Sequence, residues 1–162
     1  MRVLGIDPGV TGAWAVVETI ADRAPVLIEV GDLPVKAVKL SKRVARQLDA
    51  EELAELFERL LGGGIDRVIV ERLTGAPGVT STTAFSLGWT AATIDTILAL
   101  RGQAYLKTHP SVWKRALLVP ADKHGSKARA TKLFQTDKHW PREKDHNRAE
   151  AALIGLFGAI TR

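Results

Sequence analysis

Asp7, Glu71, Asp145, His146 and Glu150 are side chains that bind metals or move protons, and each stands where the chain pattern changes. Asp7 closes the apolar run Val3-Leu4-Gly5-Ile6 and precedes the turn residues PGVTG. Glu71 closes a second short apolar run, DRVIVE. Asp145, His146 and Glu150 open the last segment, KDHNRAEAALIG. His146 and Glu150 are four apart, so on a helix they share one face, with Asp145 at the N-cap position. Taken singly, each has an ordinary reading as a turn former, an exposed strand end or a helix cap. Taken together they suggest more. Crowded carboxylates repel one another unless a divalent cation neutralises them, and hard oxygen ligands suit Mg²⁺ or Mn²⁺. Paired ions can activate a water and stabilise the leaving oxygen of a phosphodiester.

The elements must bring these residues together. RVLGID reads as a strand over 2–7, followed by strands over 13–19 and 25–31, close enough in sequence to form an antiparallel meander. Residues 32–48 read as a basic connector with some helix. A helix over 49–61 carries Asp49 as its cap and Leu53, Leu56 and Leu60 at helical spacing, and Gly62-Gly63-Gly64 stops it. A strand over 66–71 follows, then the glycine-proline loop LTGAPGVTS and a long apolar helix over 82–100. Residues 103–107 read as a fifth strand. Helices are expected at SVWKRALL after Pro110, over 126–134 and over 146–160. This order predicts one α/β domain over 1–162, a mixed five-stranded sheet flanked by helices. If the strands ending in Asp7 and Glu71 are parallel neighbours, both carboxylates emerge at the carboxyl edge, where ligands of open α/β sheets bind.

Composition narrows the function. The chain has 162 residues, 46% hydrophobic and 25% charged, which is ordinary for a globular domain. With no cysteine it has no disulfide, zinc–thiolate site or thiol nucleophile. The reading finds no apolar run of membrane-span length and expects no secretory leader, since a strand already begins at Arg2. The net charge of +5 favours a polyanionic partner. The charge is clustered: residues 107–150 hold eleven Lys or Arg against five Asp or Glu. A second basic run is Lys36, Lys39, Lys42, Arg43 and Arg46.

With these residues in view, the chain resembles the RuvC-like Holliday junction resolvases of the ribonuclease H-like superfamily, and looks closest to their phage and organellar branch. The resemblance rests on GIDPGVTGAWAVV, VIVE, SLGWTAATIDTIL, HPSVWKRAL, KARATKLF and DHNRAEAALIG, in family order over nearly the whole chain. It implies a ribonuclease H-like fold and a structure-specific endodeoxyribonuclease that nicks four-way DNA junctions in pairs. It also implies two Mg²⁺ ions per site, with Mn²⁺ able to substitute. Asp7 and Glu71 match the first two ligands, and Glu150 matches a terminal carboxylate that is Asp in many relatives. His146 is the first choice for the fourth position, as ligand or general base, with Asp145 the alternative. A homodimer is implied, with helix 82–100 forming much of the interface. Lys114, Arg115, Lys123, Lys127, Arg129, Lys132 and Lys138 are then candidates for phosphate contacts. Phe85, after the glycine loop, becomes a candidate wedge at the junction centre. Trp113 reads as core rather than as a stacking platform. The implied setting is the cytoplasm of a bacterial or phage-infected cell, or an organelle, with no membrane and no nucleotide cofactor.

Three other readings compete. GIDPGVTG also resembles the first phosphate loop of the actin, Hsp70 and sugar-kinase superfamily, but those enzymes use two lobes and a second phosphate loop. Another ribonuclease H-like nuclease, acting on RNA or branched DNA, would share the fold and the carboxylates. A non-catalytic junction binder would have no use for Asp7, Glu71 and Glu150 close to phosphates.

Overall fold

The computed structural model describes residues 1–39, 44–74, 78–122 and 124–161. Strands β1 (Arg2–Asp7), β2 (Ala13–Glu18) and β3 (Val26–Asp32) form the expected meander. After β4 (Val35–Lys39), β5 (Val44–Leu48) and α1 (Ala50–Gly62), strand β6 (Arg67–Glu71) returns parallel to β1. The chain continues through α2 (Ser81–Leu100), β7 (Leu106–Thr108), α3 (Pro110–Ala116) and α4 (Gly125–Phe134). A single 3₁₀ turn (Glu143–Asp145) leads into α5 (His146–Ile160). The main sheet has the order β3-β2-β1-β6-β7, antiparallel on the meander side and parallel between β1, β6 and β7. The mixed five-stranded sheet expected from the sequence is the one observed.

Residues 32–48 depart from the expectation. They form no helix. β4 and β5 pair with each other as a separate antiparallel ribbon, Val35 opposite Leu48 and Lys39 opposite Val44. Lysines and arginines interrupt the apolar alternation, and that hides a strand whose faces are both largely exposed. The basic run also extends to Lys42 and Arg43, which lie outside the described residues.

Side chains alternate across the sheet, so each strand feeds two cores. Val3 and Ile69 pack with Trp113 of α3, Ala130 of α4, Leu153 and Ile154 of α5, and Trp140 from the segment between α4 and α5. Leu4, Ile6, Val68 and Val70 pack with Leu53, Phe57, Ile94 and Leu98 of α1 and α2. By the same alternation, Asp7 continues the side of Val3, and Glu71 continues the side of Ile69. Both carboxylates therefore face the α5 layer.

α5 is buried almost throughout, from Ala149 to Gly158. It lies on β1 so closely that a Cβ on Gly5 would stand 2.3 Å from the carbonyl oxygen of Ala151 and 2.3 Å from the nitrogen of Gly155. Two glycines facing each other allow this contact, which fixes the height of Glu150 above the sheet. Arg67 of β6 ties the far end of α5 by donating to the Gly158 carbonyl at 2.8 Å.

α2 is different. Only Thr90, Ile94, Ile97 and Leu98 are buried, while Phe85, Trp89 and Leu100 stand exposed. By length and a mean hydropathy of 1.2 it could cross a membrane, the one such helix among the described residues. That corrects the reading that no run is long enough. Its buried face completes the core under the sheet, and Asp95 pairs with Lys107 of β7 at 2.6 Å.

Candidate active site

Asp7 ends β1 and Glu71 ends β6, each one residue beyond the last paired position, Ile6 opposite Val70. The turn after Asp7 folds back tightly: Gly12 donates to the Gly9 carbonyl at 3.0 Å. A Cβ on Gly12 would lie 2.3 Å from the backbone oxygen of Asp7, so the PGVTG loop needs glycine there to pass beneath the carboxylate. α5 contributes Glu150 from above. α3 lies beside both glutamates. Its buried Trp113 donates from Nε1 to Glu71 Oε1 at 2.7 Å, and the Lys114 ammonium contacts Glu150 Oε1 at 2.9 Å. Lys114 also lies over the Trp113 ring, 5.0 Å from its centroid. Ser126, in the first turn of α4, donates to Glu150 Oε1 at 2.8 Å. Five elements, β1, β6, α3, α4 and α5, thus converge on three carboxylates.

The electrostatics identify the centre. Asp7 is 7% exposed, and its carboxylate accepts no hydrogen bond among the described residues. Burial holds its pKa well above the ordinary 3.8; Glu71 and then Glu150 push it the same way, and Lys114 opposes them. Burial also raises Glu71. The Trp113 hydrogen bond opposes that shift, Glu150 adds to it, and Lys114 opposes it. Asp7 and Glu71 are thus pushed toward their neutral forms by burial and by the carboxylates beside them, with Lys114 the one cation opposing this in a partly dry site. A cavity of about 330 Å³ opens beside Glu71, lined by Pro8, Arg72, Asp95 and Lys107.

The donors are all oxygen, which suits a hard divalent cation. They are not a ready-made cage: among the described residues no three His, Asp or Glu side chains stand in metal-holding geometry. Glu150 Oε1 is held by Lys114 and Ser126. The fit is therefore of charge and donor type, with Asp7 the carboxylate that lacks any donor.

The remaining predicted residues lie elsewhere. Asp145 is buried but turned to Arg142, whose guanidinium reaches it at 2.7 Å and whose backbone nitrogen donates at 3.0 Å. That pairing lowers its pKa to about 2. His146 is exposed one turn before Glu150, its ring 3.3 Å from the Glu143 carbonyl. Of the proposed DNA contacts, Lys114 is part of the carboxylate cluster. Lys127 donates to the Arg142 carbonyl at 2.8 Å, and Arg129 closes the end of α3 on the Leu117 carbonyl at 2.5 Å. Arg115, Lys132 and Lys138 are exposed, and Phe85 is 72% exposed. Lys123 lies outside the described residues. Sequence reasoning missed the donor roles of Trp113 and Ser126. The available signal was that a buried indole N–H needs a partner.

This sheet order, with α5 across β1 and carboxylates at the β1 and β6 ends, is the fold of the RuvC-like Holliday junction resolvases. The chain is similar over 98% of its length to RuvC from Thermus thermophilus, solved in complex with a Holliday junction substrate. The TM-score is 0.68 at 23% identity, and the match covers 93% of that chain. A second Thermus thermophilus RuvC structure matches at 0.66 and 23% identity, with the same coverage. The yeast mitochondrial Holliday junction resolvase matches at 0.62 and 14% identity, over 96% of this chain and 76% of that one. Bacterial and organellar structures thus share the fold, the bacterial ones at the higher identity. No protein-family model matches the sequence, and no curated protein matches it.

Proposed function

We propose that this protein is a metal-dependent endodeoxyribonuclease that cuts four-way DNA junctions by paired nicks. The observation that carries this reading is the convergence of Asp7, Glu71 and Glu150 from β1, β6 and α5, with Asp7 buried beside the other two and bound by no donor. Asp7, Glu71 and Glu150 would hold the ion or ions, Mg²⁺ or Mn²⁺, with His146, one turn before Glu150 on α5, the further ligand expected from the sequence. Bound there, a divalent cation supplies charge neutralisation and Lewis-acid activation for phosphodiester hydrolysis. The chain's own groups do the rest. Trp113 orients Glu71, Ser126 and Lys114 orient Glu150, and the low exposure of Asp7 keeps bulk water from screening the charges. Arg115, Lys132 and Lys138, all exposed, would meet phosphates.

Support for the junction as substrate comes from the fold shared with a protein solved on a Holliday junction and from the clustered positive charge. Two-fold pairing of subunits through α2 would present two sites to a junction of matching symmetry. The reading places the protein with replicating or recombining DNA in the cytoplasm of a bacterial or phage-infected cell.

The test is cleavage of a synthetic immobile four-way junction with Mg²⁺, beside matched duplex, flap and RNA–DNA hybrid. Symmetric nicks confined to the junction are the expected result. Preferential cutting of the hybrid would retain the site and reassign the substrate to another ribonuclease H-like class.

A further inference from the structure

The carboxyl edge of the sheet carries a row of facing residues. Asp32 of β3 stands opposite Ala13 of β2, Ala13 opposite Asp7 of β1, and Glu71 of β6 opposite Thr108 of β7. Beyond Thr108 comes α3 with Lys114 and Arg115, which makes that flank of the centre basic. The other flank is where β3 ends and the β4–β5 ribbon begins. It lies two strand spacings from Asp7, about 10 Å.

A polar cavity of about 140 Å³ occupies this second flank. Asp32, Thr11 of the loop after Asp7, Arg46 of β5, and Arg142, Lys144 and Asp145 of the turn before α5 line it. Its walls are tied to one another. The Leu33 nitrogen donates to the Gly12 carbonyl at 2.9 Å. Asn147 of α5 donates to the Thr11 carbonyl, and to the Thr11 hydroxyl at 3.2 Å. An isolated two-stranded ribbon is marginal in water, but Leu33 and Leu48 at the base of this one are buried and Lys36 pairs with Asp49 at 3.2 Å.

The centre gathers three carboxylates around one lysine. In the cavity each carboxylate has its own arginine instead: Asp32 pairs with Arg148 at 2.6 Å and Asp145 with Arg142 at 2.7 Å. Arg46 and Lys144 are left over, both exposed and with no ion-pair partner among the described residues. Lys39 lies on the same face of the ribbon as Arg46 by the alternation of paired residues, and it has no such partner either. The cavity therefore carries surplus positive charge beside a site that would receive a phosphodiester.

We propose that this cavity is a phosphate subsite for the cut strand, in which Arg46 and Lys144 hold a backbone phosphate near the scissile one. Lys39 extends the cationic track outward along the ribbon. Phosphate contacts fix register and orientation without reading sequence. Held here and at α3, the strand is gripped on both flanks of the centre, and the grip sets which phosphodiester reaches Asp7 and Glu71. The subsite rests on the DNA reading above and adds a strand-positioning contact to it.

The test is a methylphosphonate scan, since each replacement removes the charge of one phosphate and keeps the chain. Single replacements are stepped along the strands at the crossover of an immobile four-way junction, and binding is measured in EDTA. At one position the wild-type protein should lose about tenfold in affinity, the scale of one charge-assisted hydrogen bond. The double variant Arg46→Gln, Lys144→Gln should bind the unmodified junction about tenfold or more weakly, with a salt slope lower by about two. It should lose the penalty at that position while its circular dichroism stays unchanged. Arg115→Gln, on the α3 flank, should leave the same penalty in place. In Mg²⁺ the double variant should spread its nicks over neighbouring bonds. Tight junction binding with no sensitive position, or a penalty undiminished in the double variant, overturns the subsite and leaves the junction reading standing. Nicks that stay at the wild-type bond in the double variant overturn its part in register. Wild-type protein that does not prefer junction to duplex overturns the junction reading itself.

Discussion

Asp7 is a carboxylate the fold would hold more cheaply without its charge. Its pKa in the folded chain lies above the ordinary 3.8, so the unfolded chain releases its proton first as pH rises. Folded stability therefore falls as pH climbs from near 3.8 through the raised value, and the penalty is complete above it. In EDTA at pH 7, Asp7→Asn should melt higher than wild type, by about 2–4 °C for each kcal/mol relieved. The gap should close as pH falls below about 4. Differential scanning calorimetry across pH measures this, and a mutant less stable than wild type at pH 7 contradicts it. Trp113 makes a second prediction. Trp113→Phe keeps most of the buried ring and removes the donor to Glu71. The Mg²⁺ concentration needed for half-maximal cleavage should rise about 10- to 100-fold, the range for partners that orient a ligand. An unchanged Mg²⁺ titration would show that the hydrogen bond serves packing alone.

Between the elements, α5 positions Glu150 only because Gly5 and Gly155 let it lie flat on β1. Gly5→Ala puts a methyl 2.3 Å from backbone atoms that cannot yield locally, so the helix must lift. The expected cost is about 1–3 kcal/mol in urea unfolding. Cleavage should fall even where the variant is fully folded, because Glu150 moves with the helix. Full activity in the folded variant would contradict this positioning. The same elements show what a sequence can reveal. β1, β6 and α5 were legible because continuous apolar runs end in single carboxylates and because small residues repeat along the last helix. The ribbon was not. VKAVK and VARQL carry charges at positions a buried strand would keep apolar, and these strands pair only with each other. Asp7, Glu71 and Glu150 as a group were legible from topology. Trp113 to Glu71 and Ser126 to Glu150 were not, since those bonds join residues 42 and 24 apart whose side-chain directions only the packed fold defines. Asp145 and His146 were open alternatives by spacing. The fold turns Asp145 away to Arg142 and leaves His146 exposed.

At the scale of the whole molecule, α2 leaves Trp89, Ala92 and Leu100 in solvent on a helix with a single charged residue, Asp95. An uncovered apolar face of this kind marks an interaction surface. The proposed two-site resolvase needs it as a subunit contact. Sedimentation at micromolar concentration should show a dimer. Ala92→Glu, which places a charge on the exposed face, should weaken it about tenfold or more with the circular dichroism spectrum unchanged. A monomeric wild type would contradict the paired-site reading.

The central claim is that Asp7, Glu71 and Glu150 make one metal-dependent site. The most direct measurement is junction cleavage against Mg²⁺ for wild type, Asp7→Asn, Glu71→Gln and Glu150→Gln, with junction binding measured in parallel in Ca²⁺. All three variants should bind the junction as wild type does and lose about a hundredfold or more in cleavage. Cleavage that survives in any one of them, or that proceeds in EDTA, would contradict it.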